Sequence, residues 1–254
     1  MSGGVARALA GLERWLLPVE CLTCARPLDG APAPLVCEPC RLRWTRLPVP
    51  QCGRCGQPLE PDLPCRVCPA WPDALAGAAS AVWLDAGARE AAHALKYGGW
   101  WAVADAMAVE LARVLAPRLA ALGPLTGRVS LCPVPLGARR LRQRGYNQAE
   151  RLAAALGRRT GLAVHAGLLA RRRETRTQTA LAPDARRANV AEAFQAGGLA
   201  RGRLVILVDD VLTTGSTLAA AAEALAAAGA ARVEAITFAR AVTPAVQLQE
   251  ATWR

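Results

Sequence analysis

The sequence predicts an α/β protein: a doubly wound, mostly parallel sheet preceded by a small cysteine-rich module. Three observations carry that expectation. Short apolar runs alternate with helical stretches from Gly77 onward, eight of the nine cysteines lie before Pro69, and Gly and Pro punctuate the boundaries. The chain has 254 residues and a mass of 26.7 kDa, which suits one core domain with an appendage. Residues 1–75 are expected to form an N-terminal helix and the cysteine module, and residues 76–254 the α/β domain. Hydrophobic residues make up 53% and charged residues 20%, which argues against wholesale disorder. No uncharged apolar run approaches the roughly 18 residues that a spanning helix needs, so membrane insertion is not expected.

The cysteine module comes first. Its eight cysteines form four Cys-x-x-Cys pairs, Cys21/Cys24, Cys37/Cys40, Cys52/Cys55 and Cys65/Cys68, and only Cys132 stands apart. Residues Met1 to Leu17 carry Glu13 and lack a long apolar centre, so no signal peptide is expected and the reducing cytoplasm is the expected compartment. In that setting metal thiolates are favoured over disulfides. Each pair puts two sulfurs on one tight knuckle, and two knuckles close a tetrahedron around zinc with no open position, the signature of a structural site. The simplest grouping is sequential: Cys21, Cys24, Cys37 and Cys40 hold one ion, and Cys52, Cys55, Cys65 and Cys68 a second, making a double zinc ribbon. An interleaved cross-brace is the alternative. Prolines and glycines crowd the knuckles, so metal is expected to supply most of the module's folding free energy. Eight thiolates and two zinc ions would bring the formal charge from +11 to about +7.

The α/β elements follow in order. Ala78 to Leu84 reads as a strand, Ala88 to Leu95 as a short helix and Trp101 to Leu122 as a longer one. Arg128 to Cys132 reads as a strand stopped by Pro133 and Pro135, with Cys132 a small buried residue, and Asn147 to Arg159 as a helix ended near Gly161. Leu204 to Val208 is a strand, Ser216 to Ala228 a helix stopped by Gly229, and Arg232 to Phe238 another strand.

The chemistry concentrates after the strand Leu204-Val-Ile-Leu-Val208. Asp209-Asp210 follow at once, then Val211-Leu212-Thr213-Thr214-Gly215-Ser216-Thr217 and an Ala-rich helix. Ligands of open α/β sheets bind outside the carboxyl ends of the strands. Backbone amides of a glycine turn, hydroxyls and the positive end of a helix together cradle a phosphate. Carboxylates only accept hydrogen bonds, so the pair suits vicinal sugar hydroxyls or a hydrated Mg²⁺. A Walker-type nucleotide loop is a poor competitor, because it needs a lysine here and the chain's only lysine is Lys96.

Over Val205 to Thr217 the chain resembles the 5-phosphoribosyl-1-diphosphate (PRPP) signature of type I phosphoribosyltransferases. That resemblance implies the type I phosphoribosyltransferase fold, with Asp209 and Asp210 facing the ribose hydroxyls. It places Thr213, Thr214, Gly215, Ser216 and Thr217 around the 5-phosphate.

Most of the excess positive charge lies between Arg139 and Arg187, where thirteen arginines face only Glu150, Glu174 and Asp184. Two loops carry much of it, Pro133 to Gln148 and Arg171 to Gln178. Such a run is ordinarily a solvated face, but planar guanidinium forks also hold a pyrophosphate at two oxygens. Leu95-Lys-Tyr-Gly-Gly99, Pro133-Val-Pro135, Arg144-Gly-Tyr-Asn-Gln148 and the spaced set Arg173, Thr175, Gln178, Leu181, Arg186, Asn189 and Phe194 resemble the ComF family, as does the zinc module. The likeness covers about residues 20 to 240. It implies that Arg142 and Arg144 lie near the pyrophosphate loop, that Arg173, Thr175, Gln178 and Arg186 lie on or beside a mobile catalytic loop, and that Lys96 and Tyr97 belong to a hood over the substrate pocket. The family's usual acidic residue after Lys-Tyr-x-Gly is Trp100 here.

Asp209, Asp210, Arg144 and Arg173 are therefore the candidate catalytic residues, and Lys96 and Arg142 join the loop as candidate PRPP ligands. Two functions stay open. One is a PRPP- and Mg²⁺-binding enzyme that transfers phosphoribosyl to a nitrogenous base and releases pyrophosphate. The other, implied by the same resemblance, is a DNA-uptake accessory of natural transformation, binding single-stranded DNA or a competence protein through the zinc module and the arginine belt. Base-reading residues are not legible: Trp83, Trp100 and Trp101 are read as core packing, and His93 and His165 have no metal-ligand spacing.

Overall fold

A computed structural model describes residues 19–28, 35–60, 62–121, 129–172 and 193–242. The expected N-terminal helix lies outside them. Among the described residues of the cysteine module the one regular element is α1 (Glu38–Leu42), entered through Cys37.

The strands are β1 (Gly77–Trp83), β2 (Val129–Pro133), β3 (Ala163–Val164), β4 (Leu169–Arg171), β5 (Phe194–Ala196), β6 (Leu204–Leu212) and β7 (Arg232–Arg240). The helices between them are α2 (Ala86–Tyr97), α3 (Val103–Ala121), α4 (Ala138–Arg144), α5 (Gln148–Thr160) and α6 (Ser216–Ala227). Five strands form one parallel sheet in the order β1-β7-β6-β2-β3, and β4 pairs antiparallel with β5. The expected doubly wound sheet is present. Among the described residues no helix is long and apolar enough to cross a membrane.

Alternation along β6 separates two cores. Leu204, Ile206 and Val208 face α2, α3 and α5, while Val205 and Leu207 face α6 and the β4-β5 pair. The helices after β2 and β6 thus cover opposite faces, and their connections run outward in opposite directions. That makes the carboxyl ends of β2 and β6 the switch point of the sheet, where a crevice opens.

Local signals explain most boundaries. Asp85 caps α2 by accepting from the Ala88 amide at 2.8 Å, so that helix starts before Ala88. Gly161, at φ 75°, ends α5 in the left-handed region. β6 runs beyond the expected Val208 to Leu212 because β7 pairs alongside, Asp209 opposite Thr237 and Val211 opposite Ala239. The acidic pair therefore sits within the last stretch of a strand, and the turn to α6 shrinks to Thr213, Thr214 and Gly215. The expected loop from Pro133 to Gln148 contains the two-turn helix α4.

The cysteine module is pinned to the sheet rather than left to metal alone. Cys21, Val36, Cys37, Cys40 and Trp44 enter the first core, and Cys55, Cys68, Trp71 and Leu75 the second. Trp44 meets Phe238 of β7 edge-on at 4.8 Å between ring centroids. Burying side chains of this size contributes roughly 1.5–3 kcal/mol each. Ion pairs add to the attachment. Glu110 of α3, 2% exposed, accepts from Arg41 at 2.5 Å and Arg113 at 2.9 Å and lies 3.4 Å from Arg46. At the far end of β7, the buried Arg240 donates to Gln57 at 3.0 Å and to the Cys55 carbonyl.

Candidate functional site at the switch of the sheet

The crevice is bounded by Asp209 and Asp210 at the end of β6 and by the turn that leaves β2, where the Val134 amide bonds the Val208 carbonyl at 3.0 Å. Asp210 points to the α5 side. The residue is 4% exposed, and its carboxylate forms an ion pair with Lys96 from the last turn of α2 and lies 3.4 Å from Gln148 Nε2. Asp209 takes the opposite face, is half-buried, and accepts from the Asp210 amide at 2.9 Å. Burial and then the neighbouring Asp210 charge push the Asp209 carboxyl well above the usual carboxylate range, with Lys96 pulling the other way.

Three segments far apart in sequence converge here. Arg144, at the end of α4, donates to Gln148 Oε1 at 2.9 Å and to the Tyr97 hydroxyl at 3.1 Å, and its guanidinium lies 4.8 Å from the Tyr97 ring centre. Tyr146 Oη donates to the Leu95 carbonyl at 2.5 Å, and Asn147 caps α5 while donating to the Val134 carbonyl at 3.0 Å. The Leu95-Lys-Tyr and Arg144-Gly-Tyr-Asn-Gln148 segments are thus one hydrogen-bonded unit beside Asp210. Of the five donors of Arg144, at least three remain for a ligand.

The phosphate-type loop is open. Thr213, Thr214, Ser216 and Thr217 are exposed, and no protein group accepts from the amides of Thr213, Thr214 or Gly215 among the described residues. Thr214 Oγ1 and Ser216 Oγ lie 2.8 Å apart. Gly215, at φ 83°, is buried beneath Trp71, whose Nε1 donates to the Thr214 carbonyl at 3.0 Å.

The remaining site expectations divide. Arg142 is exposed on α4 and, among the described residues, bonds none of the unit around Asp210. Arg173, Thr175, Gln178 and Arg186 lie outside the described residues; β4 and β5, bonded through the Arg172 amide and the Ala193 carbonyl at 2.8 Å, stand at either end of that stretch. Core packing fails for two tryptophans: Trp100 is 51% and Trp101 50% exposed, and the Arg151 guanidinium lies 5.1 Å from the Trp101 ring centre. Both sit in the short α2–α3 turn. Gln148 and Trp71 were missed. Gln148 stood inside a quoted motif, whereas nothing local marks Trp71, 143 residues from its partner.

The cysteines assemble sequentially. Cys21, Cys24, Cys37 and Cys40 form one group and Cys52, Cys55, Cys65 and Cys68 the other, with the ligand atoms of each within 4.8 Å of one another. Sulfur separations are 3.7 Å for Cys24–Cys37, 3.7 Å for Cys52–Cys68 and 3.5 Å for Cys55–Cys65. That is far longer than a disulfide and close to the edge, about 3.8 Å, of a tetrahedron with metal–sulfur bonds of about 2.3 Å. Burial acts to raise Cys21, but amides of Cys37, Cys24 and Thr23 outweigh it and bring the thiol down to about 6, while burial carries Cys40 up to about 12. Thiols packed this closely ionise together only around a cation, so the donor sets fit metal. Cys132 is fully buried, and burial pushes its thiol up to about 12, the state of an inert core residue.

Comparison with known proteins agrees with this geometry. Over 220 residues, 86% of this chain and 95% of the relative, it is 34% identical to the DNA utilization protein YhgH of Salmonella typhi. The Escherichia coli K12 protein of the same name is 34% identical over 205 residues, 78% of this chain and 87% of its own. Competence protein F of Haemophilus influenzae is 36% identical over 115 residues, 44% of this chain and 50% of its own. The chain belongs to the ComF family. Within this ComF chain, residues 141–250 match the phosphoribosyl transferase domain family. Among solved structures, a glutamine PRPP amidotransferase of B. subtilis is 22% identical over 43% of this chain and 22% of that chain, with a TM-score of 0.30.

Proposed function

We propose that this ComF-family chain binds PRPP with Mg²⁺ in the crevice between the carboxyl ends of β2 and β6. The observation that carries this reading is the Thr213–Gly215 turn, whose amides have no acceptor among the described residues and which stands between an acidic pair and the start of a twelve-residue helix. In this reading the loop amides and the hydroxyls of Thr213, Thr214, Ser216 and Thr217 hold the 5-phosphate, and Asp209 and Asp210 accept from the ribose hydroxyls. Lys96 pairs with Asp210 in its buried position. Arg144, set by Tyr97 and Gln148, offers its remaining donors to the diphosphate. Mg²⁺ bound with PRPP supplies charge neutralisation at the diphosphate oxygens.

The supported reaction is substitution at the anomeric carbon. The bond from that carbon to the diphosphate oxygen breaks, pyrophosphate leaves with the electron pair, and the nitrogen of an incoming base forms the new bond and loses a proton. Fixed arginines aimed at the leaving group stabilise it as it departs. Zinc in the two cysteine groups would be structural, since four thiolates leave no open position. Reduced thiolates of this kind support a cytoplasmic setting.

Calorimetry with PRPP and Mg²⁺ tests the reading: the protein binds, and Asp209→Asn with Asp210→Asn abolishes binding. Absence of binding, or a double variant that binds as well as the parent, refutes it. A screen for pyrophosphate release across nucleobases and small amines then decides turnover.

A second reading rests on a different observation. Tyr97, Trp100 and Trp101 are all at least half exposed, and Arg144 and Arg151 stack on Tyr97 and Trp101. Alternating aromatic faces and guanidinium groups are what single-stranded nucleic acid stacks on, and the relatives carry the name DNA utilization protein. Anisotropy with a labelled oligothymidine across a salt series tests it. Steep weakening with salt and a loss of at least about tenfold in Trp101→Ala support a DNA platform. Affinity unchanged by that substitution removes it.

A further inference from the structure

We propose that Trp71 is a positioning residue for the phosphate loop, and that through it the second four-cysteine group forms one wall of the sugar-phosphate site. The proposal deepens, and rests on, the reading of Thr213 to Thr217 as the 5-phosphate cradle.

The indole is held from behind by the cysteine knuckle. The Trp71 amide bonds the Cys68 carbonyl at 3.0 Å. Arg54, inside the Cys52-Gly-Arg-Cys55 turn, donates to the carbonyls of Pro72 at 2.7 Å, Leu75 at 3.1 Å, and Cys68 and Trp71 at 3.3 Å each. One guanidinium thus gathers the whole return segment, and the Trp71 ring leaves it already oriented.

In front, the ring sets the loop in two ways. Its Nε1 anchors the Thr214 carbonyl at 3.0 Å. In a trans peptide the carbonyl and the following N–H point to opposite sides, so anchoring that carbonyl turns the Gly215 N–H away from the indole. The ring also occupies the space beside Gly215: a Cβ there would lie 2.6 Å from Trp71 Cζ2, at a backbone φ of 83° that side chains rarely adopt. Glycine is required at 215 for both reasons, and the loop cannot relax toward the knuckle. A short loop with unpaired amides ordinarily samples many shapes, and each one that differs from the bound shape lowers ligand affinity. Trp71 removes that freedom before the ligand arrives.

Two variants of the full-length, metal-loaded chain separate the contributions. Trp71→Phe keeps a ring against Gly215 and loses the donor; Trp71→Leu loses both. Amide hydrogen exchange of the bonded residues on either side of the turn, 209–212 and 216–219, reads the loop without any ligand, and calorimetry with ribose 5-phosphate and, separately, with magnesium pyrophosphate reads the two halves of the site. Loop exchange is expected to accelerate in both variants while residues 204–208 and metal content stay as in the parent. Ribose 5-phosphate should bind about fivefold more weakly in Trp71→Phe and more than about tenfold more weakly in Trp71→Leu, with pyrophosphate binding within about twofold. Unchanged loop exchange in Trp71→Leu overturns the proposal. So does an equal loss of both ligands, which marks general loosening of the fold. If the parent protein binds no ribose 5-phosphate, the cradle reading and the effect on affinity fall together, and loop exchange alone decides whether Trp71 holds the loop.

Discussion

Replacing Lys96 by methionine removes the cation that faces Asp210 while keeping much of the aliphatic stem. The Asp210 side chain is 5% exposed and that of Lys96 24%, and the other polar neighbour, Gln148 Nε2, lies at a long 3.4 Å. Removing one partner of a buried pair costs about 3–5 kcal/mol, because the other charge stays desolvated. Partial exposure of Lys96 favours the lower end, about 3 kcal/mol. For a chain of this size each kcal/mol moves Tm by about 2–4 °C, so Lys96→Met should melt about 6–12 °C below the parent at neutral pH. Differential scanning fluorimetry checks this. Lys96→Met with Asp210→Asn should recover most of the loss, since the stranded charge is gone. A fall in Tm under about 2 °C, or effects of the two substitutions that simply add, would refute the idea that Lys96 maintains the acidic pair.

Three further outcomes are expected. Elemental analysis of protein purified under reducing conditions should find about two zinc ions per chain, and a strong chelator should lower Tm sharply; one ion or none contradicts the two sequential groups. Burial pushes Glu110 up, but Arg113, Arg46 and Arg41 outweigh it and hold the carboxyl below its ordinary value. A lowered folded value contributes stability above the unfolded carboxylate range and loses it as pH falls through the folded value. Glu110→Gln should therefore cost about 2–3 kcal/mol at neutral pH and progressively less as pH falls through that lowered value, discounted because Arg46 and Arg113 can turn to water; urea melts across an acidic pH series check it. Asp209 has the opposite sign. Its raised folded value contributes stability below the unfolded carboxylate range that is lost as pH rises through the folded value, so its ionised form is held at a cost that a ligand using it as an acceptor must meet. PRPP affinity should weaken as pH falls through that raised value, and Asp209→Asn should flatten the profile; a parent protein with no pH dependence speaks against an acceptor role for Asp209.

What could be read from sequence was what is local. The apolar run of β6, the helix-stopping glycines after α5 and α6, and the order of acidic and hydroxyl residues between β6 and α6 each declare themselves within a dozen positions. The even spacing of the cysteine pairs left two groupings open, and spatial assembly chose the sequential one. Tertiary links were silent. Glu110 meets Arg41 across 69 positions, Arg240 meets Cys55 across 185, and Trp71 meets Thr214 across 143. A buried glutamate or arginine looks like a surface residue until its partners are in place. The three-residue strands β4 and β5 depend on each other and have too few residues for a periodic signal. The exposure of Trp100 and Trp101 was misjudged because aromatic residues are usually covered, whereas these two sit in the short turn between α2 and α3 and are half exposed.

The ion pair at Asp210 has a practical side. Because the chain contains a single lysine, its only ε-amine stands inside the crevice, and every other positive side chain is a guanidinium that amine reagents leave alone. Reductive methylation with isotopically labelled formaldehyde would place one side-chain resonance there, apart from the chain's amino terminus. The molecule carries a built-in spectroscopic tag at the place where its chemistry is expected.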